Sequence, residues 1–184
     1  MRRFIFTICL LASLAAVTRA QKALTVGKVL PNLALINTSG NLYELNAQKN
    51  VKGFILVFMT PTCDHCRAYE SRIVALDKKY KVKGFPIVAI GPYGDDPIKY
   101  PLDALPEMKK LAIERGFKFP YLSDDHFKYT WMLGIKTTPT AVVLQKQSNG
   151  YLIKYIGRID DEQNEKLKPK NKFVEQVVDK MVHW

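Results

Sequence analysis

Residues 54–66 read Phe-Ile-Leu-Val-Phe-Met-Thr-Pro-Thr-Cys-Asp-His-Cys: six apolar residues, a short turn, and two cysteines three positions apart. The apolar run 54–59 predicts a central strand that is covered on both faces. Cys63 and Cys66 then lie where this strand ends and a helix begins. Backbone N–H groups and the positive end of that helix stabilise the Cys63 thiolate and lower its pKa. Because Cys66 is one turn into the helix, it can form a disulfide with Cys63, and the pattern indicates a thiol–disulfide redox centre.

The amino terminus has the three parts of a secretory signal peptide. Arg2 and Arg3 precede 14 residues, 4–17, that are almost entirely apolar, and small residues stand at positions 18 and 20. We expect cleavage after Ala20, which divides the chain into a signal peptide, 1–20, and one domain, 21–184. The alternative is an uncleaved membrane anchor, although a spanning helix needs about 20 apolar residues. The domain is therefore expected to be exported, to a periplasm or to the extracellular space.

Cysteine content and charge narrow the function further. Cys9 leaves with the predicted signal, so Cys63 and Cys66 are the only cysteines of the mature chain. A secreted fold held by disulfides would carry more cysteines, spread along the sequence, and we therefore expect a working redox pair. The net charge of +11 becomes +8 without the three arginines of the signal. Because the lysines are scattered and export removes most nucleic acids, the sequence predicts a solvated basic surface and no nucleic-acid partner.

The periodicity of the remaining sequence predicts an α/β fold. A strand–helix–strand unit over 54–90 implies parallel strands joined by a right-handed crossover. Glycine-containing turns near 37–41 and 148–150 mark two hairpins. These elements predict the thioredoxin fold, a central mixed β-sheet flanked by helices, with an extra β-hairpin at the amino terminus. Residues 21–32 are predicted as an irregular opening segment, 125–133 as one short helix, and Trp131 and Met132 as core residues.

Several fragments resemble one family in their order and spacing. They are Gly27-x-x-x-Pro31-Asn32-Leu33-x-Leu35, Phe58-x-x-x-x-Cys63-x-x-Cys66, Phe119-Pro120-Tyr121-Leu122-x-Asp124, Leu133-Gly134-Ile135 and Thr138-Pro139-Thr140. Over most of residues 27–160 the chain is similar to the thioredoxin-like superfamily. It resembles both the exported thiol–disulfide oxidoreductases and the alkyl hydroperoxide reductase/thiol-specific antioxidant (redoxin) group. The resemblance implies an oxidoreductase.

The resemblance also implies a substrate-binding position. Pro139 corresponds to the cis-proline that faces the cysteines, with Thr138 before it. The backbone of Thr138 can then pair with a substrate chain as an added strand. Between the cysteines, a protonated His65 favours the Cys63 thiolate, whereas Asp64 places a negative charge beside it.

One departure from the family concerns a buried acid. Thioredoxins carry this acid six residues before the first cysteine, and Val57 stands there in this chain. Its loss removes the usual proton relay to the resolving cysteine. Glu70, one helical turn beyond Cys66, could replace that relay through water, but we expect Glu70 to be a surface residue.

Thiol–disulfide exchange is the favoured function. Cys63 attacks a substrate disulfide, and Cys66 resolves the mixed disulfide and leaves a Cys63–Cys66 bridge. The partners expected are disulfide-containing or dithiol proteins and a separate electron donor or acceptor, and the protein is expected to be a monomer. The membrane is expected as a partner only if the signal is not cleaved. Because it follows a sheet strand, the loop with Tyr93 and Tyr100 could shape substrate choice.

A thiol peroxidase is the first alternative, with Cys63 as its peroxidatic cysteine. This chain partly resembles the peroxiredoxins, whose pattern is P-x-x-x-[T/S]-x-x-C. Thr60 supplies the T-x-x-C half, whereas Leu56 stands at the proline position. No arginine lies just before the cis-proline position, where the peroxidase arginine is expected. Arg158 is the only late arginine, and we expect it to form an ion pair with Asp160 or Asp161.

A copper- or zinc-binding module is the second alternative, with Cys63, His65, Cys66 and a distant His126 as ligands. A lone C-x-x-C is a weak ligand set. The copper-delivery relatives of this fold carry three residues between their cysteines. We therefore expect neither a metal nor a cofactor.

Overall fold

The computed structural model describes residues 23–182, which form one eight-stranded mixed sheet with helices on both faces. The strand order is β1-β8-β7-β4-β5-β6-β2-β3. The strands are β1 (Val29–Leu30), β2 (Ala34–Asn37), β3 (Leu42–Glu44), β4 (Gly53–Phe58), β5 (Ile87–Gly91), β6 (Tyr121–Ser123), β7 (Thr140–Gln147) and β8 (Gly150–Gly157). The helices are α1 (Asp64–Tyr80), α2 (Leu105–Glu114), α3 (Lys128–Met132) and α4 (Phe173–Val182). The predicted thioredoxin fold, with its amino-terminal hairpin β2–β3, is confirmed.

The central strand β4 is buried along its whole length, as its apolar run predicts. Ile55 and Val57 face one core layer, which includes side chains of α1 and α4. Phe54, Leu56 and Phe58 face a second layer, which includes side chains of α3 and β8. Successive strand residues point to opposite faces, so both faces need apolar side chains. Each fully buried side chain of this size contributes about 1.5–3 kcal/mol to folding.

Strand direction brings three connections to one edge of the sheet. β4 pairs in parallel with β5, so the chain leaves both strands at the same edge. β7 pairs antiparallel with β4, with Thr140 opposite Phe58, so the chain enters β7 there as well. The residues after β4, those after β5 and those before β7 therefore meet, and Cys63 and Pro139 belong to two of these connections.

The structure corrects three predictions about local elements. Residues 29–30, predicted as irregular, form β1 because they pair with β8: Val29 lies opposite Leu152 and Leu30 lies opposite Tyr151. Trp131, predicted as core, is 70% exposed, whereas Met132 packs against the second layer. The helix predicted at 125–133 divides into a 3-10 turn and α3, because His126 and Phe127 have positive φ angles.

Residues 1–20, predicted as a signal peptide with an uncleaved membrane anchor as the alternative, lie outside the described residues. Within residues 23–182, no helix is both long enough and apolar enough to span a bilayer.

Candidate active site

Cys63 caps the amino terminus of α1. Its backbone is extended, with φ −77° and ψ 107°, and its Sγ accepts a hydrogen bond from the backbone N–H of Cys66 at 3.1 Å. The turn 60–62 brings the chain here directly from the buried end of β4. A rigid strand on one side and a helix start on the other thus fix the sulfur. An N–H donor at a helix start stabilises negative charge, so the position favours a thiolate.

The two thiols have different environments. Cys63 is half-buried, whereas Cys66 is 1% exposed and packs in the first core layer. A hydrogen bond with the Cys66 side chain is the largest of the causes, with the Thr138 hydroxyl and the Cys66 N–H, that lower the pKa of Cys63 to about 6. Burial of Cys63 opposes this effect. The same hydrogen bond, together with burial, raises the pKa of Cys66. The pair therefore holds one reactive thiolate and one protonated thiol in reserve.

Thr138 contacts the Cys63 sulfur from the other side of the site. Its hydroxyl donates to Cys63 Sγ at 3.3 Å, and its carbonyl oxygen lies 3.5 Å away, where it can accept from the protonated thiol. The Thr138–Pro139 peptide bond is cis, as the family resemblance implies. Both cysteines are free thiols in the structure, so their disulfide stays a prediction.

The two residues between the cysteines differ in their effect on Cys63. The charge of His65 is among the causes that lower the pKa of Cys63, in the predicted direction. Asp64 instead forms an ion pair with Arg67 at 2.8 Å, and its side chain is 89% exposed. Solvent and the arginine therefore screen its charge.

Asp103 belongs to the site, although the sequence reasoning missed it. Its carboxylate, 9% exposed, accepts hydrogen bonds from the Thr62 backbone N–H at 2.9 Å and the Thr62 hydroxyl at 2.7 Å. An aspartate two residues before α2 suggests a helix cap, but the N-cap is Ala104. The carboxylate instead ties the turn before Cys63 to the loop after β5.

The prediction that Glu70 is a surface residue is wrong. Glu70 is 8% exposed, and its carboxylate lies 2.7 Å from Arg115 Nε. Burial raises the pKa of Glu70, and the guanidinium of Arg115 opposes that shift. Arg115 follows α2, so this pair joins the reactive helix α1 to α2 on one side of the site. Val57, at the position of the missing acid, is fully buried in β4.

Two other predicted side chains have partners of their own. His126 Nδ1 lies 2.6 Å from Asp125 and 3.4 Å from Asp95, and all three residues are exposed. The ion pair expected between Arg158 and Asp160 or Asp161 does not form within residues 23–182. Asp160 is buried and instead pairs with Arg72 of α1, whose guanidinium donates a hydrogen bond to Asp160 Oδ1 at 3.1 Å.

Comparison with known proteins agrees with this geometry. The sequence model of the AhpC/TSA family matches residues 26–154, more than half of the chain. The chain belongs to the AhpC/TSA family. The predicted membership of the thioredoxin-like redoxin group is thus confirmed, and with it the assignment to the oxidoreductases.

Individual relatives of this AhpC/TSA protein have low sequence identity to it. The thiol-disulfide oxidoreductase ResA of Bacillus thuringiensis is 27% identical over 126 residues, which are 68% of this chain and 67% of ResA. ResA of Bacillus anthracis matches equally well. An uncharacterized conserved protein from Geobacillus kaustophilus has a similar structure, with a TM-score of 0.76 and 27% identity over 86% of this chain and 82% of that one. A thiol:disulfide interchange protein from Bacteroides sp. shares the fold, with a TM-score of 0.62 and 18% identity over 88% and 92% of the two chains.

Proposed function

We propose that this protein is an exported thiol–disulfide oxidoreductase that exchanges disulfides in protein substrates through Cys63 and Cys66. The observation that carries the proposal is the difference between the two thiols. Cys63 has a low pKa and partial exposure, whereas Cys66 is buried and stays protonated. Exchange needs this order, because the attacking sulfur must be an accessible thiolate and the resolving sulfur must wait.

The reducing direction proceeds in two balanced steps. The Cys63 thiolate attacks one sulfur of a substrate disulfide, the substrate S–S bond breaks, and one substrate sulfur leaves as a thiolate that water protonates. Cys66 then gives its proton, through water, to the second substrate sulfur as that sulfur leaves, and the Cys66 sulfur attacks Cys63 Sγ. The mixed disulfide breaks, the second substrate thiol leaves, and a Cys63–Cys66 bond remains. Two electrons pass to the substrate, and a dithiol donor of another protein must restore the pair.

The protein's own groups assist each step. The Thr138 hydroxyl and the Cys66 N–H stabilise the negative charge on Cys63, at 3.3 Å and 3.1 Å from the sulfur. As the Cys63 charge disappears in the mixed disulfide, the interaction that keeps Cys66 protonated disappears with it. The backbone of the half-buried Thr138, before Pro139, can pair with the substrate chain as an added strand. Export rests on the signal-like sequence of residues 1–20.

The test is to trap the intermediate. Cys66→Ser protein, reacted with glutathione disulfide, should accumulate one mixed disulfide at Cys63 by mass spectrometry, whereas Cys63→Ser should accumulate none at Cys66. Equal labelling of both variants would contradict the assigned roles. Rapid hydrogen peroxide consumption that disappears in Cys63→Ser would favour the peroxidase alternative.

The direction of exchange requires a second measurement. Equilibration of the wild-type pair with glutathione gives its reduction potential. A value of about −270 mV would indicate a reductant that a donor recharges, and a value of about −120 mV would indicate a dithiol oxidant. Loss of residues 1–20 from protein recovered outside the cytoplasm would support export.

A further inference from the structure

Four aromatic side chains form a continuous row on the surface, which we call the aromatic row: Tyr93, Tyr100, Phe127 and Trp131. The rings of Tyr93 and Tyr100 have centroids 4.3 Å apart, and Phe127 meets Tyr93 edge-on at 5.4 Å. Trp131 stacks on Phe127 at 5.6 Å and is itself 70% exposed. Tyr93, Tyr100 and Phe127 are half-buried. Aromatic side chains that pack against one another and stay partly accessible are typical of binding surfaces.

The backbone beneath the aromatic row is held firmly. Asp124 is fully buried, and its carboxylate accepts hydrogen bonds from the N–H groups of Tyr129 and Thr130 at 3.0 and 2.8 Å. His126 and Phe127 both adopt left-handed conformations, with φ 49° and 58°. Two consecutive non-glycine residues in this region are strained, and such strain concentrates at functional sites. This backbone conformation sets the direction in which the Phe127 side chain leaves the chain.

A cleft of about 330 Å³ lies between two members of the aromatic row, Tyr93 and Phe127, and the segment that precedes Pro139. Its walls include Pro92, Tyr93, Phe127, Thr130, Lys136 and Thr138. Thr138 is the residue whose hydroxyl and carbonyl contact Cys63 Sγ at 3.3 and 3.5 Å. Thr138 is thus both a wall of the cleft and a direct neighbour of the Cys63 sulfur. The volume of the cleft is at the small end for ligand pockets, so it suits one or two side chains rather than a large cofactor.

We propose that this cleft binds an aromatic side chain of the substrate protein, within two residues of the cysteine that Cys63 attacks. This inference rests on the proposed exchange function and adds a substrate preference to it. An extended chain advances roughly 7 Å in two residues, so a side chain next to the bound cysteine reaches the neighbouring cleft. Tyr93 and Phe127 offer it ring contacts. Lys136 is the one charged residue of the wall, and it disfavours a basic side chain there.

The test compares peptide disulfides that differ at one position. Peptides with a single cysteine are prepared as mixed disulfides with glutathione, with Phe, Ala or Lys two residues before or after the cysteine. We expect the reduced protein to react about tenfold faster with Phe than with Ala on one of the two sides, and slower with Lys than with Ala. Phe127→Ala and Tyr93→Ala should reduce the Phe preference to within twofold. Ile113→Ala, at an exposed apolar residue of α2 outside the cleft, should retain it.

Two readouts separate this inference from the exchange function. Glutathione disulfide, which has no aromatic side chain, reports exchange without the cleft. The ratio of the Phe-peptide rate to the glutathione disulfide rate should fall in Phe127→Ala and stay within twofold of wild type in Ile113→Ala. Peptides with serine in place of cysteine report the cleft without exchange, through NMR shifts of the Trp131 indole and the Thr138 amide. Normal exchange with equal Phe and Ala rates would overturn the cleft. Absent exchange with shifts specific to the Phe peptide would overturn the exchange function and support the cleft.

Discussion

The carboxylate of Asp103 holds Thr62 by two hydrogen bonds, one from the Thr62 backbone N–H at 2.9 Å and one from its hydroxyl at 2.7 Å. Thr62 directly precedes Cys63, and Asp103 lies in the loop that follows β5. The contact therefore fixes the backbone that enters the reactive cysteine from a segment about forty residues further along the chain.

Asp103→Ala should destabilise the protein and slow its chemistry. Loss of two hydrogen bonds to a charged acceptor should lower the free energy of unfolding by about 1–2 kcal/mol, since Thr62 is exposed and water can replace part of the interaction. The freed turn should also slow the reaction of Cys63 with glutathione disulfide. Urea unfolding and stopped-flow kinetics measure the two effects. Glu114→Ala, an exposed acid on α2, is the control, and equal unfolding midpoints in the two variants would refute the prediction.

The alkylation rate of the reduced protein should report the low pKa of Cys63. Only the thiolate reacts with iodoacetamide, so the rate should rise with pH, reach half its maximum near the Cys63 pKa of about 6, and level off above it. Cys66 should stay unmodified because its pKa is raised. Cys66→Ala should move the midpoint upward by removing the principal hydrogen-bond donor. A wild-type midpoint at or above that of free cysteine, roughly 8.5, would be incompatible with the geometry of the site.

Thr138→Val should raise the pKa of Cys63 without disturbing the fold. Valine has the shape of threonine but lacks the hydroxyl that donates to Cys63 Sγ. One such hydrogen bond corresponds to a rise of roughly 0.5–1 pH unit in the alkylation midpoint. Thr137→Val, the same change at the neighbouring exposed residue, should leave the midpoint unchanged. Identical midpoints in both variants would mean that the Thr138 hydroxyl does not stabilise the thiolate.

Arg115→Met should make stability depend more steeply on pH. The folded pKa of Glu70 is already raised by burial, and loss of the arginine raises it further. Its contribution to stability is thus complete below the pKa of Glu70 in the unfolded chain and is lost as pH rises through the folded value. We expect a loss of about 1–2 kcal/mol at pH 7, discounted because Arg115 is half exposed, and a smaller loss at pH 4.

The control for Arg115→Met removes the titrating group. Urea unfolding is measured in a Cys63→Ser/Cys66→Ser background, so that the thiols do not contribute. Addition of Glu70→Gln should abolish the extra pH dependence. If the slope persists in the combined variant, another group is responsible for it.

Local patterns in the sequence were enough to predict much of the fold. The run 54–59 indicated a strand buried on both faces, and β4 is buried throughout because core layers cover both faces. The C-x-x-C spacing indicated the helix start, and Cys63 is the N-cap of α1. Prediction failed where a distant partner decides the outcome. Residues 29–30 have no strand signal of their own, and they pair because β8 offers an edge.

The sequence by itself determined the position of the two cysteines at a helix start and the strand that carries them, because these depend on residue type and spacing over a few turns of chain. Only the tertiary structure decided which charges act there. It buried Glu70 against Arg115, screened Asp64 with Arg67 and brought the Asp103 carboxylate to Thr62. Electrostatic effects on a thiol depend on distance and burial between segments that lie far apart in sequence, and folding alone sets both.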